Sequence, residues 1–317
     1  MHTLTISPAP STNPTLLRKA SRILALVLSY ANELGPKGSA SYELHRKKIE
    51  QAIERNETIE LVLPAFPAKS PNREKTLGAL PDFAEVLGLE RLQEICNAIA
   101  TIHAPGARVL ICSDGRVFSD LVLVSDEEVS AYGGGIREII RELGLQSLAT
   151  FSLEDVFGNT DFNLLRARLV EEFGRPVTEI RAESISTREG LMMFNGIHRF
   201  LFEDRLALER SKSRNRVREE SKEIAYRVIQ RSNAWSSLVE KLFPKAVRLS
   251  IHPQFAESKK IGFQLVSCDN AWGTPWHNVA LLTDGGFRLV KRKEAEELGA
   301  TVALARGKYA FYKELSV

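Results

Sequence analysis

The sequence has few cysteines, and none of them is paired. Cys96, Cys112 and Cys268 lie far apart and form no CxxC motif. Their number and spacing argue against a disulfide scaffold and against a structural zinc cluster, and they are typical of a protein from a reducing compartment. We therefore expect a cytoplasmic protein.

Long apolar segments are missing as well. The run Ile23–Leu28 is too short to cross a bilayer and predicts a buried helix face. Residues Met1–Thr15 lack a positively charged region followed by an apolar core, so we expect no signal peptide there. The formal net charge of +3 is close to balance and gives no reason to expect a nucleic-acid partner. A membrane partner is not expected either.

Common catalytic and nucleotide-binding motifs are absent too. No GxGxxG follows the first predicted strand, so a nicotinamide cofactor is not indicated. P-loop, GxSxG and HExxH motifs are also missing.

What the sequence does contain is an alternation of strands and helices. Buried strands are predicted at Thr58–Leu63, Arg108–Cys112, Val117–Val124, Arg248–His252, Gly262–Ser267 and Val279–Thr283. With helices between them, they predict an α/β fold, a Rossmann-like, largely parallel sheet with helices on both faces and additional helical segments. Residues 1–57 are predicted to be an N-terminal helical extension and residues 58–317 a catalytic domain, with a single domain overall as the alternative.

Two features interrupt predicted helices. A capping box at Ser125 starts a helix that meets Gly133-Gly134-Gly135, where either the helix restarts or the backbone closely approaches something else. The stretch Phe200–Leu242 is predicted to break near Ser232-Asn233. Within it, Arg205–Lys222 has seven basic and three acidic residues, a pattern typical of a solvated helix face, with a docking surface as the alternative.

Four loops that follow predicted strands combine polar side chains with proline or glycine. They are Pro64–Arg73, Ser113–Asp120, Ser250–Gln254 and Cys268–Asn278. Because ligands bind beyond the carboxyl ends of parallel strands, and rigid loops hold functional groups still, we expect a site there. The residues predict a cationic site with histidine and aspartate for a small anionic substrate.

Cations and carboxylates of these loops are the first candidates. Lys69 and Arg73 are suited to hold a phosphate or polarise a carbonyl, although they can also be solvated surface cations. Asp114 is either a turn residue or a carboxylate that binds an ammonium group or acts as a base. Asp120 lies in an apolar stretch and needs a partner, for which Arg116 is the local candidate.

Histidines, aromatic residues and one further arginine complete the predicted site. His252 and His277 end predicted strands at the same sheet edge, which indicates acid–base chemistry, with structural hydrogen bonding as the alternative. No third ligand has the spacing of a metal site. The other candidates are the substrate-binding residues Gln254, Arg231, Trp276, Phe66 and Phe118. The aromatic ones either line an aromatic substrate pocket or belong to the core.

The same loops carry a family resemblance. The motifs are LPAFPAKSPNREKTLG (Leu63–Gly78), ICSDGRVFSD (Ile111–Asp120), AYGGGIRE (Ala131–Glu138), QRSNAW (Gln230–Trp235), RLSIHPQ (Arg248–Gln254) and TPWHN (Thr274–Asn278). In this order they resemble the pyoverdine/dityrosine biosynthesis family, which includes bacterial isocyanide (isonitrile) synthases. The resemblance covers roughly Thr58 to Asn278.

The resemblance implies conversion of the amino group of L-tyrosine to an isocyanide, with ribulose 5-phosphate as co-substrate and carbon donor. It implies no metal or redox cofactor, a role in paerucumarin-like secondary metabolism and an iron/2-oxoglutarate oxygenase as pathway neighbour. On this basis Lys69, Asp114, Asp120, His252 and His277 are predicted to be catalytic. L-tryptophan as substrate, a sugar-phosphate aldolase or isomerase, and a regulatory module built on residues 205–222 are the alternatives.

Overall fold

The computed structural model describes residues 14–34, 42–158 and 161–315. Its helices are α1 (Pro14–Leu28), α2 (Glu43–Glu54), α3 (Phe83–Ala100), α4 (Gly115–Phe118), α5 (Asp126–Glu142), α6 (Leu153–Phe157), α7 (Phe162–Phe173), α8 (Val177–Ser186), α9 (Arg188–Leu208), α10 (Arg214–Leu242) and α11 (Arg292–Glu297). Its strands are β1 (Glu33–Leu34), β2 (Ile59–Leu63), β3 (Ala107–Cys112), β4 (Leu148–Phe151), β5 (Val247–Ser250), β6 (Gln254–Phe255), β7 (Ile261–Gly262), β8 (Val279–Thr283), β9 (Gly286–Val290), β10 (Thr301–Ala305) and β11 (Tyr309–Lys313). The 3-10 turns Ser119–Leu121 and Pro275–His277 lie between them.

The central sheet is parallel and has helices on both faces. Its five strands follow the order β4-β3-β2-β5-β7, and every neighbouring pair runs parallel. Leu61 and Leu63 of β2 pack with residues of α1, α2, α3 and α5, whereas Val62 packs with α7 and α10. Because successive side chains of a strand point to opposite faces, this alternation requires a helical layer on each side. The predicted fold class is therefore confirmed.

A second sheet extends the fold at the C-terminal end of the chain. It has four strands in the order β10-β11-β8-β9, with both parallel and antiparallel pairs. Phe287 and Phe311 of this sheet pack their rings at 5.0 Å and 5.4 Å from Phe83 at the start of α3. This aromatic cluster belongs to the same apolar core as the central sheet, which fixes the second sheet against α3.

Residues of the predicted N-terminal extension also join that core. Ile23 of α1 and Ile49 of α2 are fully buried in the cluster that contains Leu61 and Leu63. The boundary near residue 57 stays a prediction. Residues 1–13, 35–41, 159–160 and 316–317 lie outside the described residues. Within the described part of the chain, none of the helices combines the length and the apolarity needed to cross a bilayer.

Two predicted elements are wrong. Val117–Val124 is not a strand but the short helix α4 followed by a 3-10 turn, because its apolar residues Val117 and Leu121 also fit helical spacing. The break predicted at Ser232 is absent, and α10 runs through it with Trp235 buried beneath. The helical stretch is instead interrupted between α9 and α10, where the side chain of Ser213 caps α10.

Other segments differ from the prediction in extent. Gly262–Ser267 contains only the end of the two-residue strand β7, while β4 was not predicted because it is only four residues long. The capping box at Ser125 is confirmed. Helix α5 does not restart at its glycines. Gly135 lies against Pro81, so close approach is the alternative that the structure supports.

Candidate active site

A cleft opens at the carboxyl edge of the central sheet. The loops after β2, β3 and β5 form its floor, α9 and α10 cover it, and the segment before β8 closes one side. We call this space the main cleft and define it by Asp114, Arg199, His252 and His277, all of which line it. It lies at the edge of a parallel sheet where α/β proteins bind their ligands.

Hydrogen bonds between the loops fix the floor of the main cleft. The Ser113 hydroxyl donates to the Phe66 carbonyl at 3.0 Å, which ties the loop after β3 to the loop after β2. The Ser70 amide donates to the Trp276 carbonyl at 2.8 Å, which ties the β2 loop to the segment before β8. Groups contributed by distant parts of the chain are therefore held in fixed relative positions.

Asp114 provides a carboxyl group that titrates near neutral pH. Burial raises its pKa to about 7, and its Oδ1 atom is buried without a hydrogen-bond partner among the described residues. A lone carboxylate removed from water is disfavoured in its charged form, which explains the direction of the shift. Such a group suits proton transfer at neutral pH.

The two predicted histidines both line the main cleft. Burial lowers the pKa of His252 to about 4, with Lys260 as a second cause. The pKa of His277 is also about 4, because of burial and then Lys75, and its Nδ1 atom lies 3.1 Å from the Thr274 hydroxyl. Both imidazoles are thus neutral at pH 7 and able to accept a proton. His277 was predicted to end a strand, but it lies in the turn before β8.

Cations on α9 and nearby loops face the same space. Arg199 of α9 is exposed in the main cleft, and its guanidinium has no hydrogen-bond or ion-pair partner among the described residues. Lys75 contacts Glu203 at 3.1 Å and Asp204 at 2.6 Å, while Lys291 contacts Glu203 at 3.0 Å. Lys75 and Lys291 are thus paired with carboxylates, whereas Arg199 is the one of these three cations that is available to an anion.

Lys69 borders the main cleft but does not present its charge to it. Its ammonium group is fully buried 2.9 Å from both Asp82 and Glu85, and it also donates to the Pro275 carbonyl at 3.1 Å. The predicted role in holding phosphate therefore does not fit this geometry. Lys69 instead attaches the β2 loop to the N-terminus of α3 through these two ion pairs. Breaking them would leave an uncompensated buried charge, which is costly.

Asp120 and Arg231 form an ion pair with each other. Their Oδ1 and Nη1 atoms are 2.5 Å apart, and Arg166 approaches Asp120 at 3.4 Å. The predicted Arg116–Asp120 pair is wrong, because Arg116 lies 2.9 Å from both Asp126 and Glu154. These residues do not line the main cleft.

The remaining candidates divide between cleft, core and surface. Phe118 and Trp276 line the main cleft, whereas Phe66 is buried in the core with its ring 5.4 Å from that of Trp276. Arg73 is exposed and donates to the Thr76 hydroxyl at 3.1 Å, away from the cleft. Gln254 lines a neighbouring cavity and donates to the Pro253 carbonyl at 3.0 Å.

Four of the seven basic residues of the run Arg205–Lys222 form ion pairs with its own three carboxylates. Arg205 contacts Glu209 at 2.8 Å and Glu220 at 2.7 Å, and Lys212 contacts the same two residues at 3.0 Å and 2.6 Å. This arrangement fits the solvated-face interpretation better than a docking surface.

The sequence interpretation missed the residues that α9 contributes. Gly196, Arg199, Phe200 and Glu203 all line the main cleft. Their spacing of three and four residues places them on one helix face, and that combination of glycine, arginine and glutamate on a single face was the available signal. Across residues 14–34, 42–158 and 161–315, no three His, Cys, Asp or Glu side chains are placed to hold a metal ion together.

Comparison with known proteins gives consistent matches along the chain. A family model described as pyoverdine/dityrosine biosynthesis protein matches residues 49–303. An L-tryptophan isonitrile synthase of Fischerella ambigua is 46% identical over 84% of this chain and 81% of its own length. An L-tyrosine isonitrile synthase of Pseudomonas aeruginosa is 41% identical over 92% of this chain and 93% of its own. The crystal structure of PvcA from Pseudomonas aeruginosa superposes with a TM-score of 0.85 at 40% identity, covering 93% of this chain and 99% of that one.

Proposed function

The chain belongs to the pyoverdine/dityrosine biosynthesis family, and we propose that it is an isonitrile synthase that converts the amino group of an aromatic L-amino acid to an isocyanide. L-tyrosine and L-tryptophan are the two candidate substrates, because similar relatives carry either name. We further propose ribulose 5-phosphate as the carbon donor, without a metal or redox cofactor.

One observation carries this proposal. A single cleft combines a carboxyl group with a pKa of about 7, two neutral imidazoles and an unpaired guanidinium. Condensation of an amine with a ketone requires a deprotonated amine, and the later eliminations require groups that accept and return protons. The phosphate of the sugar requires a fixed cation. The main cleft supplies each of these functions.

The roles follow from where each group lies. Arg199, helped by Lys291, binds the phosphate, since its guanidinium has no partner among the described residues. Asp114 takes the proton of the substrate ammonium group, because its Oδ1 atom has no hydrogen-bond partner among the described residues. His252 and His277 accept and return protons during dehydration and carbon–carbon cleavage. Lys69 keeps the floor in place without touching substrate.

The product would enter secondary metabolism of the paerucumarin type in the cytoplasm, and an iron/2-oxoglutarate oxygenase that modifies isocyanides is the pathway neighbour we propose. A sugar-phosphate aldolase or isomerase would use the same cations. It would consume ribulose 5-phosphate without any amino acid, which separates the two functions.

The test is an incubation of the purified protein with L-tyrosine or L-tryptophan and uniformly ¹³C-labelled ribulose 5-phosphate. Mass spectrometry should show an isocyanide that carries a single ¹³C atom. Omission of either substrate and the Asp114→Asn variant serve as controls. Sugar consumed equally well without amino acid would favour the aldolase, and failure to consume any aromatic amino acid would refute the proposal.

A further inference from the structure

A second cavity adjoins the main cleft across a shared wall. We call it the side cavity and define it by Met192, Met193, Phe255 and Trp272, which line it together with polar residues. His252 and Trp272 are the two residues that line both spaces. A molecule in either space can therefore contact His252.

The shared wall is rigidly placed. The indole of Trp272 lies so close to α9 that a Cβ atom on Gly196 would be 2.6 Å from Cζ3 of that ring. The ring centroids of Trp272 and His252 are 5.0 Å apart. Gly196 therefore lets the indole lie flat against α9 and hold one side of the His252 imidazole.

The two spaces differ in charge. The main cleft contains Lys75, Lys291 and the unpaired Arg199. Among the described residues no lysine or arginine lines the side cavity, although Arg188 packs 4.7 Å from the ring centroid of Phe255. Glu189 and Glu257 line it without ion pairs to other described residues. A phosphate group is repelled by these carboxylates and attracted by the cations next door. The sugar phosphate thus belongs in the main cleft.

The side cavity suits an aromatic ring. Thioether sulfur atoms and an indole make favourable contacts with aromatic edges and faces, and Met192, Met193 and Trp272 provide both. Its volume of about 250 Å³ exceeds the ~150 Å³ cavity that is known to hold benzene. The two carboxylates are acceptors for a phenol hydroxyl or an indole N–H.

We propose that the side cavity binds the aromatic side chain of the amino acid substrate and that its lining determines which aromatic amino acid is used. The amino group then lies beside His252, facing the sugar phosphate in the main cleft. This inference rests on the proposed function, because it assigns one half of the site to each of the two substrates.

The test fills the cavity with Met192→Trp. Met192 is half-buried and belongs to none of the apolar core clusters among the described residues, so the larger side chain can enter the cavity without disrupting them. The KM for the aromatic amino acid should rise about tenfold or more, and the KM for ribulose 5-phosphate should not change. Leu191→Trp is the matched control, because Leu191 is 47% exposed on the same helix and lines neither space.

A second variant works in the opposite direction. Met192→Ala enlarges the side cavity and should shift the ratio of kcat/KM values towards tryptophan over tyrosine. Unchanged amino-acid KM in Met192→Trp, or an equal rise in both KM values, would overturn the inference. Calorimetric binding of L-tyrosine to wild type and Met192→Trp checks the same point without turnover. If wild type makes no isocyanide, the proposed function fails by itself, and the binding comparison still decides the inference.

Discussion

At the scale of single residues, the active groups are those that the fold leaves without partners. Asp114 has an unpartnered carboxylate oxygen, and Arg199 has no partner among the described residues. Lys69, in contrast, has two carboxylates within 2.9 Å. An unsatisfied buried group costs stability, so its retention in a cleft indicates a use in binding or proton transfer.

Replacement of Asp114 by asparagine should remove a titration from the rate profile. With the pKa of the carboxyl at about 7, kcat/KM of the wild type should rise with pH through 7 and then level off. Asp114→Asn should lower kcat/KM by roughly 10²- to 10⁴-fold and abolish this limb. The variant should be at least as stable as wild type at pH 8, since it no longer buries a charge there. An unchanged limb would show that another group is the base.

Loss of the Arg199 charge should affect the sugar phosphate selectively. Arg199→Gln removes the unpaired guanidinium, and a charged hydrogen bond contributes about 1.5–3 kcal/mol, so KM for ribulose 5-phosphate should rise roughly ten- to hundredfold. The KM for the amino acid should stay the same. Arg210→Gln is the control, because Arg210 is exposed in the segment just after α9 and does not line the main cleft. An equal rise in the KM for ribulose 5-phosphate in both variants would show that the overall positive charge, and not a contact made by Arg199, holds the phosphate.

At the scale of elements, close packing decides which sequence signals hold. Glycine is a poor helix former, yet α5 contains three in a row and stays continuous. The reason lies at Gly135, where a Cβ atom would be 2.8 Å from Cδ of Pro81. A Cβ atom added at Gly134 would instead meet nothing within 4 Å.

A pair of alanine substitutions in α5 should therefore have opposite effects. Gly134→Ala should raise the free energy of unfolding by up to about 1 kcal/mol, because alanine favours the helix. Gly135→Ala forces α5 away from Pro81 and should lower it by about 1–3 kcal/mol. Urea unfolding curves measure both. A stabilising Gly135→Ala would mean that the contact with Pro81 yields easily.

The same reasoning explains which elements could be predicted. Strands β2 and β3 were predictable because each is mostly apolar and buried, with only Glu60 and Arg108 as charged residues. The segment after Arg116 was not, because its apolar spacing fits a strand and a helix equally well. Asp114, His252 and His277 were predictable because they lie in loops that follow strands and combine polar side chains with proline or glycine. Arg199 was not predictable, because only the tertiary approach of α9 brings it to the sheet edge.

At the scale of the whole molecule, the two histidines of the main cleft link the site to acid stability. His252 and His277 have pKa values of about 4 in the fold against about 6.5 in an unfolded chain. The unfolded state therefore binds more protons between pH 4 and 6.5, and this contribution to stability is lost as the pH falls through that window. Asp114, whose pKa is raised, acts in the opposite direction between about 7 and 3.8.

Because these contributions oppose each other, the informative quantity is a difference between variants. The double variant His252→Gln with His277→Gln should lose less free energy of unfolding between pH 7.5 and pH 4.5 than the wild type does. Denaturant titrations at both pH values measure it, with His103→Gln as a control outside the cleft. Parallel losses in wild type and the double variant would contradict the buried neutral state.

The position of Trp272 gives this protein a built-in optical reporter. Of its three tryptophans, Trp235 is 1% exposed and Trp276 is 3% exposed, while Trp272 is partly open to solvent between the two spaces. A water-soluble quencher such as acrylamide thus reaches mainly this indole. Occupancy on either side of it becomes readable as a change in emission, without any attached dye.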